Sequence, residues 1–372
     1  MKTILSILTI LLLSNLVVAQ TTVIPDTNFE QALIDLGLDS GTVDGVVITA
    51  NIDTLTNLDV HSKSISDLTG IEDFIALTEL NCSQNQLTSL DVTQNTNLFY
   101  LKCNYNALTS LDVTQNISLT NLWCNFNALT NLDITKNTAL ISLWCGNNNL
   151  ISLDVSHNLY LITLSPINNQ LTNLDVSQNT ALTSLTCGLN QLTNLDVSQN
   201  TALTSLWCDN NQLTNLDVSQ NTVLTSLWCQ ANLLECLNGS NGNNTSFTYF
   251  VAYENPSLTC IKVDNLSYST ANWTSSIDAQ TSFSNNCGPC TVSINEYSIS
   301  NFNIYPNPTT NQLTIDSELA ISKVSIVDLT GKTIKTHNQL ASVVDVADLP
   351  NGIYFIQIIA EEGTITKKFI KQ

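Results

Sequence analysis

Seven cysteines recur at one spacing through the middle of this 372-residue chain. They are Cys82, Cys103, Cys124, Cys145, Cys187, Cys208 and Cys229, every 21 residues, with Pro166 at the one skipped position. Thiols in such a series could cross-link, hold a metal or sense an oxidant. If each period is one coil of a stack, equivalent Cα atoms lie ~4.8 Å apart, whereas a disulfide wants Cβ atoms ~3.8 Å apart with a set twist. Redox and metal chemistry also need accessible, low-pKa thiols. These cysteines share their side of the chain with leucines, so they are expected to pack as small hydrophobes.

The residue before each cysteine points the other way in an extended segment. That column is Asn81, Lys102, Trp123, Trp144, Ser165, Thr186, Trp207 and Trp228, with Tyr100, Tyr105 and Phe126 nearby. Inward packing does not explain tryptophan at that phase, and an exposed aromatic strip marks a binding surface. The competing explanation is indole stacking that only stabilises the sheet. A third column is acidic: Asp91, Asp112, Asp133, Asp154, Asp175, Asp196 and Asp217. Like charges ~5 Å apart repel by just under ~1 kcal/mol in water. Hydrogen bonds to backbone and to neighbouring Ser and Thr are the expected compensation. A row of Ca²⁺ ions is the sharper alternative, though no calcium-loop spacing accompanies it.

Other reactive groups are scattered. Cys260 is expected to bridge to Cys287 or Cys290, with Cys236 a weaker partner, if the chain meets the oxidising surroundings that its first residues indicate. The Cys287-Gly-Pro-Cys290 spacing lacks the βαβ context of redox dithiols. The three histidines, His61, His157 and His337, fall in different segments. No H-E-x-x-H, G-x-S-x-G or phosphate-loop pattern occurs. Neither an enzymatic activity nor a cofactor is expected.

These columns need a scaffold with a 21-residue period. An asparagine follows each cysteine position by three residues, from Asn85 and Asn106 to Asn232, and a second asparagine column runs from Asn95 to Asn221. A fixed period of this length is the mark of a stacked solenoid. Within a coil such as 203–221, Leu206, Cys208, Leu213, Leu216 and Val218 form the inward set. Two tight turns leave no room for a long helix, so a parallel sheet is expected on one side and short extended or 3₁₀ pieces on the other. Ahead of the repeats, an amphipathic helix capped by Asp26 or Thr27, with Phe29, Leu33 and Leu36 inward and Gly37 at its end, is placed to cover the first layer. After Asn232 the frame decays into a last coil at Phe247–Ala252, displaced by two residues, and a cap with Trp273 as its lid.

Composition narrows the partners. There are 31 acidic residues, 11 lysines and no arginine, for a net charge of −20. Of that charge, −18 lies before residue 294. Such a surface is a poor nucleic-acid or anionic-membrane binder and favours cationic ligands. Residues 1–19, with Lys2, an apolar run and Val17-Val18-Ala19, have the form of a secretory signal peptide. No transmembrane segment is expected in the mature chain.

The pattern L-x-x-L-x-C-x-x-N-x-L followed by L-D-V-S-x-N-T resembles the cysteine-containing leucine-rich repeats of internalin J and related bacterial surface proteins. The entry IPDTNFEQALIDLG…DLTGIEDF is similar to their N-terminal caps. Over residues 24–264 the resemblance implies a curved right-handed leucine-rich-repeat solenoid that recognises ligands at a cell surface without catalysis. Ser165-Pro166 departs from the pattern, and an irregularity is expected there because proline removes a ladder donor.

The last 75 or so residues, with IYPNPTTNQLTI, VDLTGK, LPNGIYFIQI and KKFIKQ, resemble the type A C-terminal sorting domain of the type IX secretion system. That resemblance implies a Bacteroidota host, a dedicated secretion machinery as partner, and removal of the tail. The short strands and turns suggest a small Ig-like β-sandwich. The expected layout is thus β-rich and multi-domain. It comprises a signal peptide (1–19), a cap with irregular first coils (20–70), regular repeats (71–232), a degenerate coil and C-terminal cap (233–293), and a sorting domain (298–372). The expected role is an exported recognition protein that binds a protein or glycan on the concave aromatic face. The alternative is a structural or adhesive protein whose acidic face is organised by Ca²⁺.

Overall fold

The computed structural model describes residues 19–287 and, towards the C-terminus, 303–316, 321–327, 333–337, 343–360 and 363–372. The expected signal peptide, apart from its last residue, lies outside the described residues, as do Cys290 and all but the first residue of the VDLTGK stretch. The chain divides into two compact units, Met1–Cys290 and Thr291–Gln372.

In the first unit every coil contributes a three-residue strand to one parallel sheet of ten, running from Asn57–Asp59 to Tyr249–Val251. Leu80 lies opposite Leu101 and Leu206 opposite Leu227, so the register advances one period per rung. At the last rung Ser226 faces Tyr249, which accommodates the two extra residues. Leu203, Leu206, Cys208, Leu213, Leu216 and Val218 of one coil are all buried. Burial of each such leucine contributes about 1.5–3 kcal/mol against the ordering cost.

The turns are held by the two asparagine columns. Asn127 donates from Nδ2 to the carbonyls of Cys124 and Cys103, both at 3.0 Å, and accepts the Leu108 N–H at 3.0 Å. One residue before each member of this column the backbone is left-handed, with φ between +52° and +56° from Gln84 to Glu254. Phe126 and Leu189 adopt this conformation without being glycine, at a cost of about 1–2 kcal/mol each. The asparagine clamp overrides it. The second column is fully buried: Asn137 donates to the carbonyls of Val113 and Asn116, both at 2.9 Å. Opposite the main sheet the coils run as turns and extended segments. Towards the C-terminal end Asn215–Asp217, Cys236–Asn238, Cys260–Lys262 and Ser282–Ser284 form a second parallel sheet.

The irregularity at Pro166 is confined to one ladder bond. Elsewhere the cysteine N–H donates across the rung, as from Cys124 to the Trp144 carbonyl at 2.8 Å. Pro166 has no such donor, and the pairing of Thr163–Ser165 with the next strand stops at Leu164. Its carbonyl still receives both Asn169 and Asn190 at 3.0 Å, so the frame does not slip.

At the N-terminal end the helix Thr27–Asp35 is capped by Asp26, which accepts from the N–H groups of Asn28 and Phe29. Phe29, Ala32 and Leu33 are buried, but Leu36 is 50 % exposed, against expectation. The helix stops at Asp35, so Leu36 serves as the C-cap and turns out of the apolar stripe before Gly37 (φ +74°). Glu30, fully buried, accepts the Asp44 and Gly45 N–H groups and ties the following loop to the helix. At the other end a second helix, Leu266–Trp273, brings Trp273 over the last layer, its ring stacked on Phe250 at 4.2 Å and edge-on to Phe247.

The second unit has the Ig-like sandwich form. One sheet contains Asn303–Tyr305, Gln312–Asp316 and Val343–Asp345; the other contains Ile321–Val327, Thr333–His337, Gly352–Ala360 and Gly363–Lys371. All pairings between these strands are antiparallel. Leu313, Ile315 and Val344 from the first sheet pack with Val324, Ile326, Ile356 and Phe369 from the second.

Candidate functional site

Alternation along each strand puts leucine inward and its two neighbours outward. The outward tryptophans therefore form a ladder along the main sheet. Trp123 and Trp144 stack at 4.8 Å between ring centroids, nearly parallel at 12°. Trp207 and Trp228 stack at 5.0 Å and 28°. Tyr100 tilts against Trp123 at 6.1 Å, and the Lys102 ammonium lies 4.3 Å from the Trp123 ring centroid. At the far end Tyr249 tilts against Trp228 at 6.2 Å.

The structure brings Tyr100, Trp123 and Trp144 into one run and Trp207 with Trp228 into another. Ser165 and Thr186 stand between them. Tyr105 and Phe126 are not part of either run. They stack on each other at 4.3 Å on the left-handed turn column and are 45 % and 40 % exposed. Tyr249, 60 % exposed, is a member that the sequence reading passed over. It stands opposite Ser226, in the other outward column of the last coil, so alternation alone does not show its tilt against Trp228.

The aspartates do local work. Asp133 Oδ1 accepts the Thr135 N–H at 3.0 Å and its hydroxyl at 2.7 Å, and Asp91 and Asp112 do the same with Thr93 and Thr114. Asp154, Asp175, Asp196 and Asp217 accept the N–H of Ser156, Ser177, Ser198 and Ser219. Hydrogen bonds from Thr93, Thr114 and Thr135 hold the carboxyls of Asp91, Asp112 and Asp133 below their ordinary values. Ser156 and Ser177 do so for Asp154 and Asp175. Among the described residues no group of three or more His, Cys, Asp or Glu is placed to share a metal ion.

All seven ladder cysteines are free and fully buried. Burial pushes the thiols of Cys82, Cys124 and Cys187 up to about 12. Native protein at pH 8 is therefore expected to leave these seven unmodified by a thiol-specific disulfide reagent, with all seven reacting in denaturant. Rapid labelling of the folded chain would contradict this packing. In the cap, Cys260 is bridged to Cys287 with Cα atoms 5.7 Å apart, and Cys236 is disulfide-bonded as well.

Comparison with known proteins divides along the same units. Residues 303–372 match the family described as the secretion system C-terminal sorting domain. A 43-residue stretch is 56 % identical to internalin J of Listeria monocytogenes serotype 4b (strain F2365), covering 12 % of this chain and 5 % of that relative. Among solved structures, the functional domain of InlJ from Listeria monocytogenes, which includes a cysteine ladder, superposes with a TM-score of 0.59 at 40 % identity. That match covers 67 % of this chain and 58 % of the other. An internalin (inlF) from Listeria monocytogenes matches at 21 % identity and a TM-score of 0.50 over 65 % of this chain and 84 % of that one, a likeness of fold. The chain thus spans only part of the internalin J relatives that it resembles.

Proposed function

The chain is an internalin J-like leucine-rich-repeat protein with a type IX sorting domain, and from that premise we propose that it is an exported, non-enzymatic recognition protein. It holds a protein or glycan ligand on the tryptophan-bearing face of its sheet, the concave face of the solenoid. The sorting domain marks it for the cell surface or beyond. Delivery includes loss of the leader and of the sorting domain.

The observation that carries this reading is the exposure of indole where a solenoid has no structural use for it. Trp144 and Trp207 remain 39 % and 38 % exposed although each is stacked on one side. The indole N–H groups of Trp123 and Trp228 are buried with no hydrogen-bond partner among the described residues. An unpaired buried donor costs about 1–3 kcal/mol, which offsets what each stack contributes to the sheet. Aromatic side chains of this kind dominate the energy of interfaces.

Substitution of Trp123, Trp144, Trp207 and Trp228 together by alanine should lower retention of the chain on immobilised host or neighbouring-cell surface extracts by about tenfold or more. Unchanged retention would sink the proposal.

A further inference from the structure

The two tryptophan pairs are not equivalent at their two ends. The outer face of Trp123 is closed by the Lys102 ammonium, and that of Trp228 by Tyr249. The inner faces, of Trp144 and Trp207, look along the sheet towards each other. The two rungs between them carry only Ser165 and Thr186. Three ladder spacings put the indole planes about 14 Å apart, so a trough two rungs wide separates two open aromatic faces.

One carboxylate stands beside this trough. A Cβ at Gly188 would lie 2.6 Å from Asp209 Oδ1 and 3.0 Å from its Cγ. The Asp209 side chain therefore lies over the Gly188 backbone, in the rung of Thr186, where a Cβ would displace its carboxylate. Asp209 Oδ2 accepts the Asn210 side-chain amide at 2.9 Å. Between Lys102 and Lys262 the sequence has one lysine, Lys136, in the turn after the aspartate column. No arginine exists anywhere in the chain to fill the trough from within.

Resting on the reading of this face as the ligand site, we propose that the trough binds two cationic side chains of an arginine- or lysine-bearing polypeptide, one against each open indole. The molecule already makes this contact once, with Lys102 over Trp123 and 5.2 Å from the Tyr100 ring. An indole face attracts a cation through its quadrupole, and the Asp209 carboxylate adds a charge partner. The net charge of −20 draws basic partners in and opposes docking of a second copy of the chain. A neutral glycan would use the indoles and give hydroxyl hydrogen bonds to Asp209, but it would gain nothing from the net charge or from the cation–π attraction.

The test is calorimetric titration of the full chain with an Arg-Gly-Arg-Gly-Arg-Gly peptide and with its citrulline counterpart, which keeps the shape and loses the charge. The arginine peptide should bind and the citrulline peptide should not. Trp144→Ala and Trp207→Ala should each weaken binding about tenfold, Trp144→Phe less, and Asp209→Asn about threefold. Asp91→Asn, on the far side of the coil, should leave affinity unchanged. Thermal melting of each variant identifies any that fail to fold.

Equal binding of both peptides, or equal losses from Asp91→Asn and Trp144→Ala, would overturn the proposal in favour of diffuse attraction. Binding of chitohexaose in the trough in place of the arginine peptide would overturn the ligand class and leave the face as the ligand site. Retention that survives loss of all four tryptophans would remove the face itself.

Discussion

Asn158→Ala is expected to destabilise the solenoid by about 2–5 kcal/mol, although it removes no charge and little apolar area. Asn158 is fully buried, and its Nδ2 donates to the Asn137 carbonyl at 2.8 Å and the Ile134 carbonyl at 3.1 Å. Alanine leaves both acceptors in the core with no water to replace the donor, at about 1–3 kcal/mol for each. The column continues on both sides through Asn137 and Asn179, so the defect sits where neighbouring coils hold each other. Coil stability in a solenoid is a sum of internal and nearest-neighbour terms, so losing one interface should also split the unfolding transition. Thermal melting followed by circular dichroism checks both outcomes. A melting temperature within about 2 °C of the parent would contradict the role given to this column.

Asp26→Ala should cost about 3 kcal/mol or more, at the other kind of site, a one-off junction. One oxygen of Asp26 caps the helix through Asn28 and Phe29; the other accepts the Ser66 N–H at 2.8 Å, the Ser66 hydroxyl at 2.7 Å and the Asp67 N–H at 3.1 Å. The carboxylate therefore fastens the cap to the first coils. Burial raises its pKa, but the hydrogen bonds from Ser66, Phe29 and Asp67 outweigh that and leave it below the ordinary value. Folding thus favours the ionised form. Its contribution is complete above the unfolded carboxylate value of about 3.9 and is lost as pH falls through the lower folded one. The parent should lose cap stability below about pH 4, and Asp26→Asn should flatten that loss. Hydrogen exchange of the Thr27–Asp35 amides across pH 3–6 measures it, and identical profiles for the two proteins would contradict the assignment.

What the sequence made legible follows from repetition. In a solenoid each coil meets copies of itself, so the period alone sets which residues face in. The cysteines, the two asparagine columns and the outward tryptophans could all be placed before any coordinates were known. Legibility fails where contacts occur once. Leu36 kept helical spacing, yet the helix ended before it. Glu30 gave no sign that it would be buried against the Asp44-Gly45 backbone. Tyr249 reaches Trp228 from the other outward column, a contact made only at the last rung.

The candidate site shows the same division. Its members could be named, but not their grouping into two stacks with closed outer and open inner faces. That asymmetry comes from Lys102, Ser165 and Thr186, where the column departs from tryptophan, and from Tyr249, which leans onto Trp228 from the neighbouring outward column. The position of Asp209 over Gly188 depends on two neighbouring rungs at once, which the alternation of a single coil does not show. The departure at Pro166 had the smaller effect, since asparagine clamps on both sides of the rung keep its carbonyl in place.

On the function proposed above, the exposed indoles serve a ligand and not the sheet. Retention of the Trp144→Ala/Trp207→Ala double variant on immobilised surface extract tests it most directly, with its melting temperature measured on the same preparation. Retention should be lost while melting shifts by no more than about 4 °C. Retention equal to that of the parent, with melting lowered well beyond that, would show that the tryptophans hold the sheet and do not bind.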